Sequence, residues 1–219
     1  MTPPPARSAR ARMTGHERRE QLIGIGRALF AERGVEATTV EEIAARAGVS
    51  KPAVYEHFGG KEGLYAVVVD REIAALLSGI TRALSGRGSP RTLLERATTA
   101  LLDYIEGSTD GFRILVRDSP VAQSTGSFAS LISDVASQVE YLLVDAFAAR
   151  GFPPQMASMY AQMLVGMVAM TGQWWLETRE PAKEVVAAHL VNLAWNGLTG
   201  LEQEPHLSPR ARTAPPAVP

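Results

Sequence analysis

Residues 38–65 read TTVEEIAARAGVSKPAVYEHFGGKEGLY, and they carry the strongest local structural signals of the N-terminal third. Thr39 stands three residues before Glu42, which is the spacing of a capping box, in which each side chain bonds a free N–H at a helix start. Gly48 supplies the left-handed residue that closes a helix. Between these two signals, apolar residues recur on one helical face, at Val40, Ile43, Ala44 and Ala47. The pattern predicts a helix over residues 40–47.

A second short helix is predicted directly after this one. Val49 is apolar, Ser50 is a suitable N-cap, and Pro52 is tolerated within a first helical turn. These signals predict a helix over residues 51–57, three residues after the preceding one ends. Two short helices joined by such a Gly-containing turn form a helix-turn-helix, whose second helix enters the DNA major groove. Other helical hairpins share this spacing, so the spacing alone is a moderate indication of DNA binding.

The segment before this motif predicts a first helix over residues 15–33, which Gly34 ends. Its apolar residues stand at helical spacing, at Leu22, Ile25 and Leu29, with Phe30 beside them. Together the three helices predict a helix-turn-helix domain over residues 14–62.

The rest of the chain predicts further helices separated by Gly and Pro breakers. A fourth helix is expected from residue 61 to about residue 83, where the loop SGRGSP follows. No run of β-branched residues alternates with polar ones over the length of a strand, so we predict an all-α fold of about nine helices. Further predictions are helices over residues 91–106, 127–150, 154–178 and 182–201, a broken segment over residues 110–120, a helical domain over residues 63–202, and disordered ends over residues 1–13 and 203–219.

Charge favours an anion-binding N-terminus. Residues 1–62 hold ten Arg and Lys against eight Asp and Glu, whereas the whole chain has a net charge of −1. The arginines of residues 1–13 form a basic arm that either enters a minor groove or stays solvated. Cysteine is absent, which excludes disulfides and thiolate sites and fits a reducing cytoplasm.

No secretory or membrane segment is expected. The first twelve residues are rich in Pro and Arg, with no apolar core behind them, so they do not form a signal peptide. The most apolar stretch, MLVGMVAM at residues 163–170, is far shorter than the roughly 20 residues of a membrane span. We therefore expect a cytoplasmic protein without a membrane partner.

Catalytic and metal-binding patterns are missing from the sequence. Gly24 and Gly26 begin like a dinucleotide fingerprint, but Leu29 occupies the third glycine position and no predicted strand precedes it. No P-loop, HExxH or G-x-S-x-G motif occurs. The histidines are scattered, without metal-ligand spacing, at His16, His57, His189 and His206. We therefore predict neither an enzyme nor a cofactor or metal site.

Several independent elements within residues 18–66 resemble the DNA-binding signature of the TetR family of transcriptional regulators. They are the Thr before the second helix, IAARAGVS at residues 43–50, YEHF at residues 55–58, KEGL at residues 61–64 and ALFAERGVEATT at residues 28–39. The resemblance implies a homodimer that binds a partly palindromic double-stranded DNA operator, usually as a repressor. It also implies that a small-molecule inducer binds the C-terminal domain and moves the two DNA-binding domains apart.

Carried over residue by residue, the resemblance implies seven DNA contacts. Thr39 and Ser50 cap helices whose free N–H groups can face phosphate. Two positions depart from the family pattern: Gly60 lacks the usual capping side chain, and Glu56 places a negative charge in the recognition helix. The remaining implied contacts are first-turn residues of that helix and phosphate-binding side chains, namely Lys51, Ala53, Tyr55, His57 and Lys61.

The resemblance assigns dimerisation and ligand binding to the C-terminal helices. If the last two long helices pair in a four-helix interface, the candidate residues are Gly166, Trp174, Trp175 and Trp195, although tryptophans can equally fill a monomer core. The modest aromatic content and the lack of a charge cluster favour an apolar or weakly polar inducer. Candidate pocket residues, for which an ordinary core role is the alternative, are Tyr104, Phe112, Phe147, Met163 and Met167.

Two other functions fit the same sequence. One is a transcriptional activator of the same fold. The other is a DNA-independent helical interaction protein that retains the helix-turn-helix as a scaffold. Salt separates the second alternative from a regulator, because operator binding through several phosphates weakens steeply as salt rises.

Overall fold

The computed structural model describes residues 13–117 and 128–207. This described part contains nine helices and no strand, which confirms the all-α prediction. We call α1–α3 with the first two turns of α4 the head, and the rest of the helices the body. The helices are α1 (Gly15–Arg33), α2 (Val40–Ala47), α3 (Lys51–Phe58), α4 (Lys61–Leu84), α5 (Pro90–Gly107), α6 (Thr109–Val116), α7 (Phe128–Ala148), α8 (Gln155–Thr178) and α9 (Lys183–Thr199).

Helix α2 begins and ends where the local signals predict. The Thr39 hydroxyl accepts a hydrogen bond from the Glu42 N–H at 3.2 Å, and the Glu42 carboxylate accepts one from the Thr39 N–H at 3.1 Å. Gly48 ends the helix with a φ of 65°, in the left-handed region. The capping box and the glycine stop are therefore both confirmed.

The cap predicted at the start of α3 is confirmed in its position but not in its side-chain hydrogen bond. Ser50 stands at the N-cap position, but its side chain makes no capping hydrogen bond. A cap hydroxyl accepts from the second or third N–H of the helix. Pro52 has no N–H, and the Ala53 N–H donates to the Ser50 carbonyl at 3.1 Å. The Ser50 hydroxyl therefore has neither of these two N–H groups available as a donor.

One buried core joins the four helices of the head. Leu22 of α1, Ile43 of α2, Val54 of α3 and Leu64 of α4 are each 0% exposed. Close packing of this kind leaves little room for adjustment, so α3 is held rigidly from its inner face.

The segment after α5 is more ordered than predicted. Instead of a broken segment over residues 110–120, the chain forms α6, with Phe112 fully buried; residues beyond 117, including Pro120, lie outside the described residues. Gly111 approaches α4 so closely that a Cβ there would lie 1.8 Å from a carboxylate oxygen of Glu72. Gly111 is therefore a point of close contact between α6 and α4.

The body helices pack in pairs. Helices α7 and α8 lie side by side, as do α4 with α5 and α5 with α9. Their ends fall within two residues of the predicted ones. The predicted domain boundary at residue 63 lies inside α4, which runs unbroken from head to body.

The predicted terminal segments fall mostly outside the described residues. The structure describes Met13 of the predicted arm and residues 203–207 of the predicted tail. Within the described residues, no helix has both the length and the apolar character that a bilayer span requires.

Candidate nucleic-acid interface and ligand cavity

Helix α3 presents one polar face to solvent. Lys51, Tyr55 and Glu56 are exposed, whereas Val54 between them is 0% exposed and anchors the helix in the head core. Lys51 and Tyr55 are four positions apart and share one face of the helix, and Glu56 lies about 100° further round the axis than Tyr55. Tyr55 is 54% exposed, although it is a large aromatic residue. This face is the candidate surface for DNA contact.

Lys51, at the start of α3, is paired with a carboxylate of the preceding helix. Its ammonium donates a hydrogen bond to Glu41 of α2. That hydrogen bond lowers the pKa of the Glu41 carboxyl below its ordinary value. A phosphate that binds Lys51 must therefore compete with Glu41. The sequence interpretation missed this partner, because the two residues are ten positions apart and meet only when α2 and α3 pack.

Lys61 ties two parts of the head together. Its ammonium donates to the Val35 carbonyl at 3.0 Å and to the Glu36 carbonyl at 3.3 Å. Both carbonyls belong to the turn between α1 and α2. The residue expected to contact phosphate therefore also holds this turn against the start of α4.

The other predicted DNA contacts differ in their exposure. Thr39 and Ser50 are exposed, although the Thr39 oxygen is engaged in the capping box. Ala53 and His57 are half-buried. Of the seven predicted contacts, the exposed ones are thus Thr39, Ser50, Lys51 and Tyr55, and Glu56 is exposed beside them on α3.

The backbone conformation at the start of α4 explains why a glycine occupies this position. Gly60 has a φ of 134°, which side-chain-bearing residues rarely adopt, and α4 has no side-chain cap there. A Cβ at Gly60 would also lie 3.5 Å from the Tyr55 ring. Gly60, which departs from the family pattern, therefore lies beside the Tyr55 ring, which packs over this turn.

A cavity of about 210 Å³ lies in the body. Side chains of α4, α5, α7, α8 and α9 line it, and among the described lining residues none is charged. Thr98 is one of the lining residues, but its hydroxyl oxygen is itself buried. Most of the lining consists of Leu, Ile and Val side chains, such as Leu76, Ile80, Leu101, Leu131 and Val165. The cavity therefore suits an apolar molecule.

None of the five predicted pocket residues lines this cavity. They lie on other helix faces. The Tyr104 hydroxyl donates to Glu72, and Phe112 is fully buried in the main core. Phe147 packs against Phe152 and Tyr160, whereas Met163 is 56% exposed and Met167 packs half-buried against the core. Residue type alone indicated adaptable apolar side chains, but only the packing decides which of them face the cavity.

A buried polar cluster joins the head to the body. Arg27 of α1 contacts Glu72 of α4, with Nε and Oε1 2.6 Å apart. The Tyr104 hydroxyl and the Ser108 hydroxyl donate to the other Glu72 oxygen at 2.5 and 3.2 Å, and Arg27 donates to Ser108 at 2.6 Å. Burial and the hydrogen bond to Glu72 raise the pKa of Tyr104 far above its ordinary value, so its hydroxyl keeps its proton. We call these four residues the junction cluster.

Two further arginines hold α6. Arg117, at the end of α6, donates to the Phe30 carbonyl of α1 at 3.1 Å. Arg179, which follows α8, donates to the Ile105 carbonyl at 3.1 Å and to the Thr109 hydroxyl at 2.7 Å. Helix α6 is therefore bonded to the head at one end and to the end of α8 at the other.

Helices α8 and α9 leave an apolar face uncovered. On α8, a Cβ at Gly166 would meet no described atom within 4 Å. The exposed large apolar side chains, which we call the apolar face, are Met159, Met163, Met170 and Trp174 on α8 and Val185 and Leu193 on α9.

Two of the predicted interface tryptophans point elsewhere. Trp175 is only 3% exposed, and its indole N–H donates to the Pro181 carbonyl at 2.8 Å, so it belongs to the monomer core. Trp195 is half-buried and lines the cavity. Adjacent helical positions are about 100° apart around the axis, so Trp174 faces outward while Trp175 faces inward.

Two family models match this chain. Residues 22–68 match the bacterial regulatory proteins of the tetR family, and residues 90–197 match the tetracyclin repressor-like C-terminal domain. The first match covers most of the head, and the second covers α5–α9 almost completely.

Individual relatives and a solved structure agree with this assignment. The chain is 31% identical over 190 residues to the HTH-type transcriptional activator FasR of Mycolicibacterium smegmatis, covering 86% of each chain. It is 33% identical over 108 residues to the HTH-type transcriptional repressor KstR2 of Rhodococcus jostii, covering 49% of this chain and 52% of that one. A TetR-like transcriptional regulator from Rhodococcus sp. RHA1 has a TM-score of 0.72 at 26% identity, covering 87% of this chain and 100% of that chain. The chain therefore belongs to the TetR family of helix-turn-helix transcriptional regulators.

Proposed function

We propose that this regulator is a homodimer that binds a partly palindromic operator in the bacterial cytoplasm and represses transcription until a small molecule fills its cavity. The observation that carries the proposal is the exposed face of α3, where Lys51 and Tyr55 project from a helix anchored by buried Val54. Such a helix enters the major groove, and its basic and hydroxyl groups bond phosphates and base edges.

The apolar face supports the dimer. Met159, Met163, Met170 and Trp174 lie along one side of α8 and are each at least 41% exposed. Water-exposed apolar side chains in a contiguous stripe favour burial against another copy of the same face. Gly166 lets two such helices approach closely, because it adds no side chain to the face. The two heads of this dimer then bind two operator half-sites that lie about one turn of the DNA helix apart.

Helix α4 offers the path from ligand to DNA. Its first turns belong to the head core through Leu64, whereas its later turns line the cavity through Leu76 and Ile80. A ligand that displaces those later turns therefore also moves the head. The junction cluster lies between these two ends, with Glu72 at its centre, and holds α4 against α1 and α5. The ligand favours one of two head spacings by binding that state more tightly.

The direction of regulation depends on where the operator lies relative to the promoter. A repressor role follows when the operator overlaps the promoter. An activator role is the second candidate, because FasR, which matches over 86% of this chain, is named an activator. Transcription in vitro, with the operator placed over or upstream of the promoter, distinguishes these roles.

Fluorescence anisotropy with DNA flanking the protein's own gene tests operator binding. We expect binding that resists a scrambled competitor and weakens steeply between two salt concentrations. Tyr55→Ala should weaken this binding at least tenfold, because it removes an exposed side chain of the α3 face. Tyr141→Ala is the matched control, since Tyr141 is 82% exposed on α7 of the body.

Two outcomes contradict the proposal in different ways. Equal affinity for scrambled and flanking DNA, together with a stable complex with another helical protein, favours the DNA-independent scaffold. Specific binding that Tyr55→Ala leaves unchanged removes α3 from the interface but keeps the regulator.

A further inference from the structure

The cavity of the body borders solvent at one end. Most of its lining residues are buried or half-buried, but a lining residue that is itself exposed touches both the cavity and the water outside. Among the described lining residues, the exposed ones are Gly88, Pro90, Leu142 and Ala146. We call these residues the mouth.

Exposure of the lining rises toward the mouth along two helices. On α7, Leu131 is 2% exposed, Val139 is half-buried and Leu142 is 39% exposed. On α5, the change runs in the opposite chain direction, from Leu101, which is 6% exposed, to the exposed Pro90 at the start of the helix. Each helix therefore has a closed end and an open end along the same cavity.

Aromatic contacts show that the two open ends coincide. Phe128, at the start of α7, and Tyr104, near the end of α5, both pack edge-on against the ring of Phe112, with ring centroids 5.8 and 6.4 Å apart. The start of α7 thus lies beside the end of α5. From these contacts, Leu142 is fourteen positions along α7 and Pro90 fourteen positions back along α5, and each distance is about 21 Å. The mouth is therefore one opening between the two helices.

The mouth lies far from the head. Helix α4 runs from Leu64 in the head core to Leu84, which lines the cavity directly before the loop of residues 85–90. Its 24 residues span about 36 Å. Gly88 and Pro90 of the mouth follow immediately in this loop. A ligand that enters here does not have to pass the α3 face.

One arginine holds the loop at the mouth. The Arg96 Nη1 of α5 donates to the Arg87 carbonyl at 3.0 Å, and within the described residues this is the only hydrogen bond that residues 86–88 make. A Cβ at Gly86 would lie 2.7 Å from the same nitrogen, so the glycine leaves room for the guanidinium. Because Arg96 is exposed, water can replace this bond at little cost. The loop can therefore move while α4 and α5 stay intact.

We propose that ligands enter and leave the cavity through the mouth, and that the loop of residues 85–90, fastened by Arg96, is a strap that controls their passage. This inference rests on the proposed function, in which the cavity binds the ligand. When the bond from Arg96 breaks, Gly88 moves away from α7 and the opening widens. Arg96 does not line the cavity, so it governs how fast a ligand passes rather than how tightly it is held.

Blocking the mouth with a thiol label tests the route on the full-length protein. The chain has no cysteine, so benzyl methanethiosulfonate modifies only an introduced one. Leu142→Cys puts the benzyl group in the mouth, whereas Tyr141→Cys, the control, puts it on a neighbour that is 82% exposed and does not line the cavity. The ligand probe is N-phenyl-1-naphthylamine, an uncharged fluorophore that brightens in apolar surroundings.

Stopped-flow fluorescence measures the association rate of this probe before and after labelling. We expect the label on Leu142→Cys to slow association at least about tenfold, and the label on Tyr141→Cys to leave it unchanged. Dithiothreitol, which removes the benzyl group, should restore the rate. Unchanged association in labelled Leu142→Cys, equal slowing by both labels, or no binding of the probe to the natural protein overturns the inference.

Arg96→Met tests the strap. Association and dissociation rates of the probe should both rise about threefold, while the dissociation constant stays within about twofold. Arg91→Met is the control, because Arg91 also follows the loop but bonds Glu95 at 3.1 Å; its rates should not change. Natural rates in Arg96→Met, or an altered affinity at an unchanged association rate, overturn the strap.

The same proteins report on the proposed function separately. Operator affinity without the probe should be natural in all four variants, because the mouth lies far from the α3 face. A natural protein that admits the probe but binds no operator contradicts the proposed function and leaves the mouth in place.

Discussion

The head and the body use their apolar residues differently. In the head, Leu22, Ile43, Val54 and Leu64 are all 0% exposed and close one core. In the body, apolar residues surround a cavity, and others, including Met163 and Trp174, stay on the surface. A DNA-binding unit must present a fixed surface, whereas a sensing unit needs unfilled volume for a ligand and an open face for a partner. This difference in packing fits the proposed roles, in which a rigid head binds DNA and an adaptable body binds a ligand and a partner.

The largest expected effect comes from disturbing the turn between α3 and α4. A Cβ at Gly63 would lie 1.9 Å from the Phe58 carbonyl oxygen, so the turn would have to shift. We expect Gly63→Ala to lower the free energy of unfolding by about 3 kcal/mol in urea titrations, as overpacking does.

Gly79→Ala is the control on the same helix. A Cβ there would meet no described atom within 4 Å. Because alanine favours helix over glycine, this change should raise the free energy of unfolding by about 0.5–1 kcal/mol. Equal responses of the two variants would show that the head tolerates changes as readily as the body.

The second prediction concerns a substitution in the apolar face of the body that leaves the head unchanged. Met163 is 56% exposed on the apolar face. Met163→Glu should raise the dissociation constant of the dimer about 100-fold, because a carboxylate in an apolar interface loses its hydration. Sedimentation equilibrium measures this constant. Tyr141→Glu, on α7, should leave it unchanged, and a similar loss in both variants would place the interface elsewhere.

The third prediction concerns the junction cluster, which connects the head to the body. Arg27→Met leaves the Glu72 carboxylate, whose side chain is 11% exposed, without its ionic partner. Allowing for the 29% exposure of the Arg27 side chain, we expect a loss of about 2 kcal/mol in the free energy of unfolding. The double variant Arg27→Met with Glu72→Gln should recover part of this loss, since no unpaired charge remains.

A surface pair provides the comparison for this third prediction. Arg71 bonds Glu20 through two nitrogens at 2.6 and 2.8 Å, but both side chains are at least 40% exposed. Arg71→Met should leave the unfolding midpoint nearly unchanged, because water replaces an exposed ion pair at little cost. If both variants lose equal stability, burial does not distinguish the junction cluster from the surface.

The smallest expected effect sharpens the description of the α3 face. Glu41→Gln releases Lys51 from its carboxylate partner, so operator affinity should rise about two- to threefold at low salt. Lys51→Met should instead reduce the slope of log affinity against log salt by about one, as the loss of one phosphate contact does. Mild acid cannot replace the Glu41 substitution, because the hydrogen bond from Lys51 lowers the pKa of that carboxyl. Anisotropy titrations at several salt concentrations measure both, and unchanged values would remove Lys51 from the interface.

Local sequence signals are enough to place the helices of the head. Thr39 and Glu42 are three residues apart, Gly48 directly follows the last residue of α2, and each signal acts on backbone groups within one helical turn. Such local preferences do not depend on the rest of the fold, so α1, α2 and the start of α3 were predictable to within one residue. The Ser50 side chain does not form the expected cap, because neither of two neighbouring residues offers its hydroxyl a free N–H. The type of one residue does not reveal whether its neighbours leave such a donor available.

The roles of the body side chains depend instead on contacts between helices that are distant in the chain. Trp174 and Trp175 are neighbours in the chain, yet one is 50% and the other 3% exposed. Arg27, Glu72 and Ser108 meet although 45 and 36 positions separate them in sequence. Helical periodicity predicts that one face is apolar, but not which neighbour covers it or where a gap remains. The cavity, the apolar face and the junction cluster all depend on how several helices pack at once, and no local signal records that arrangement.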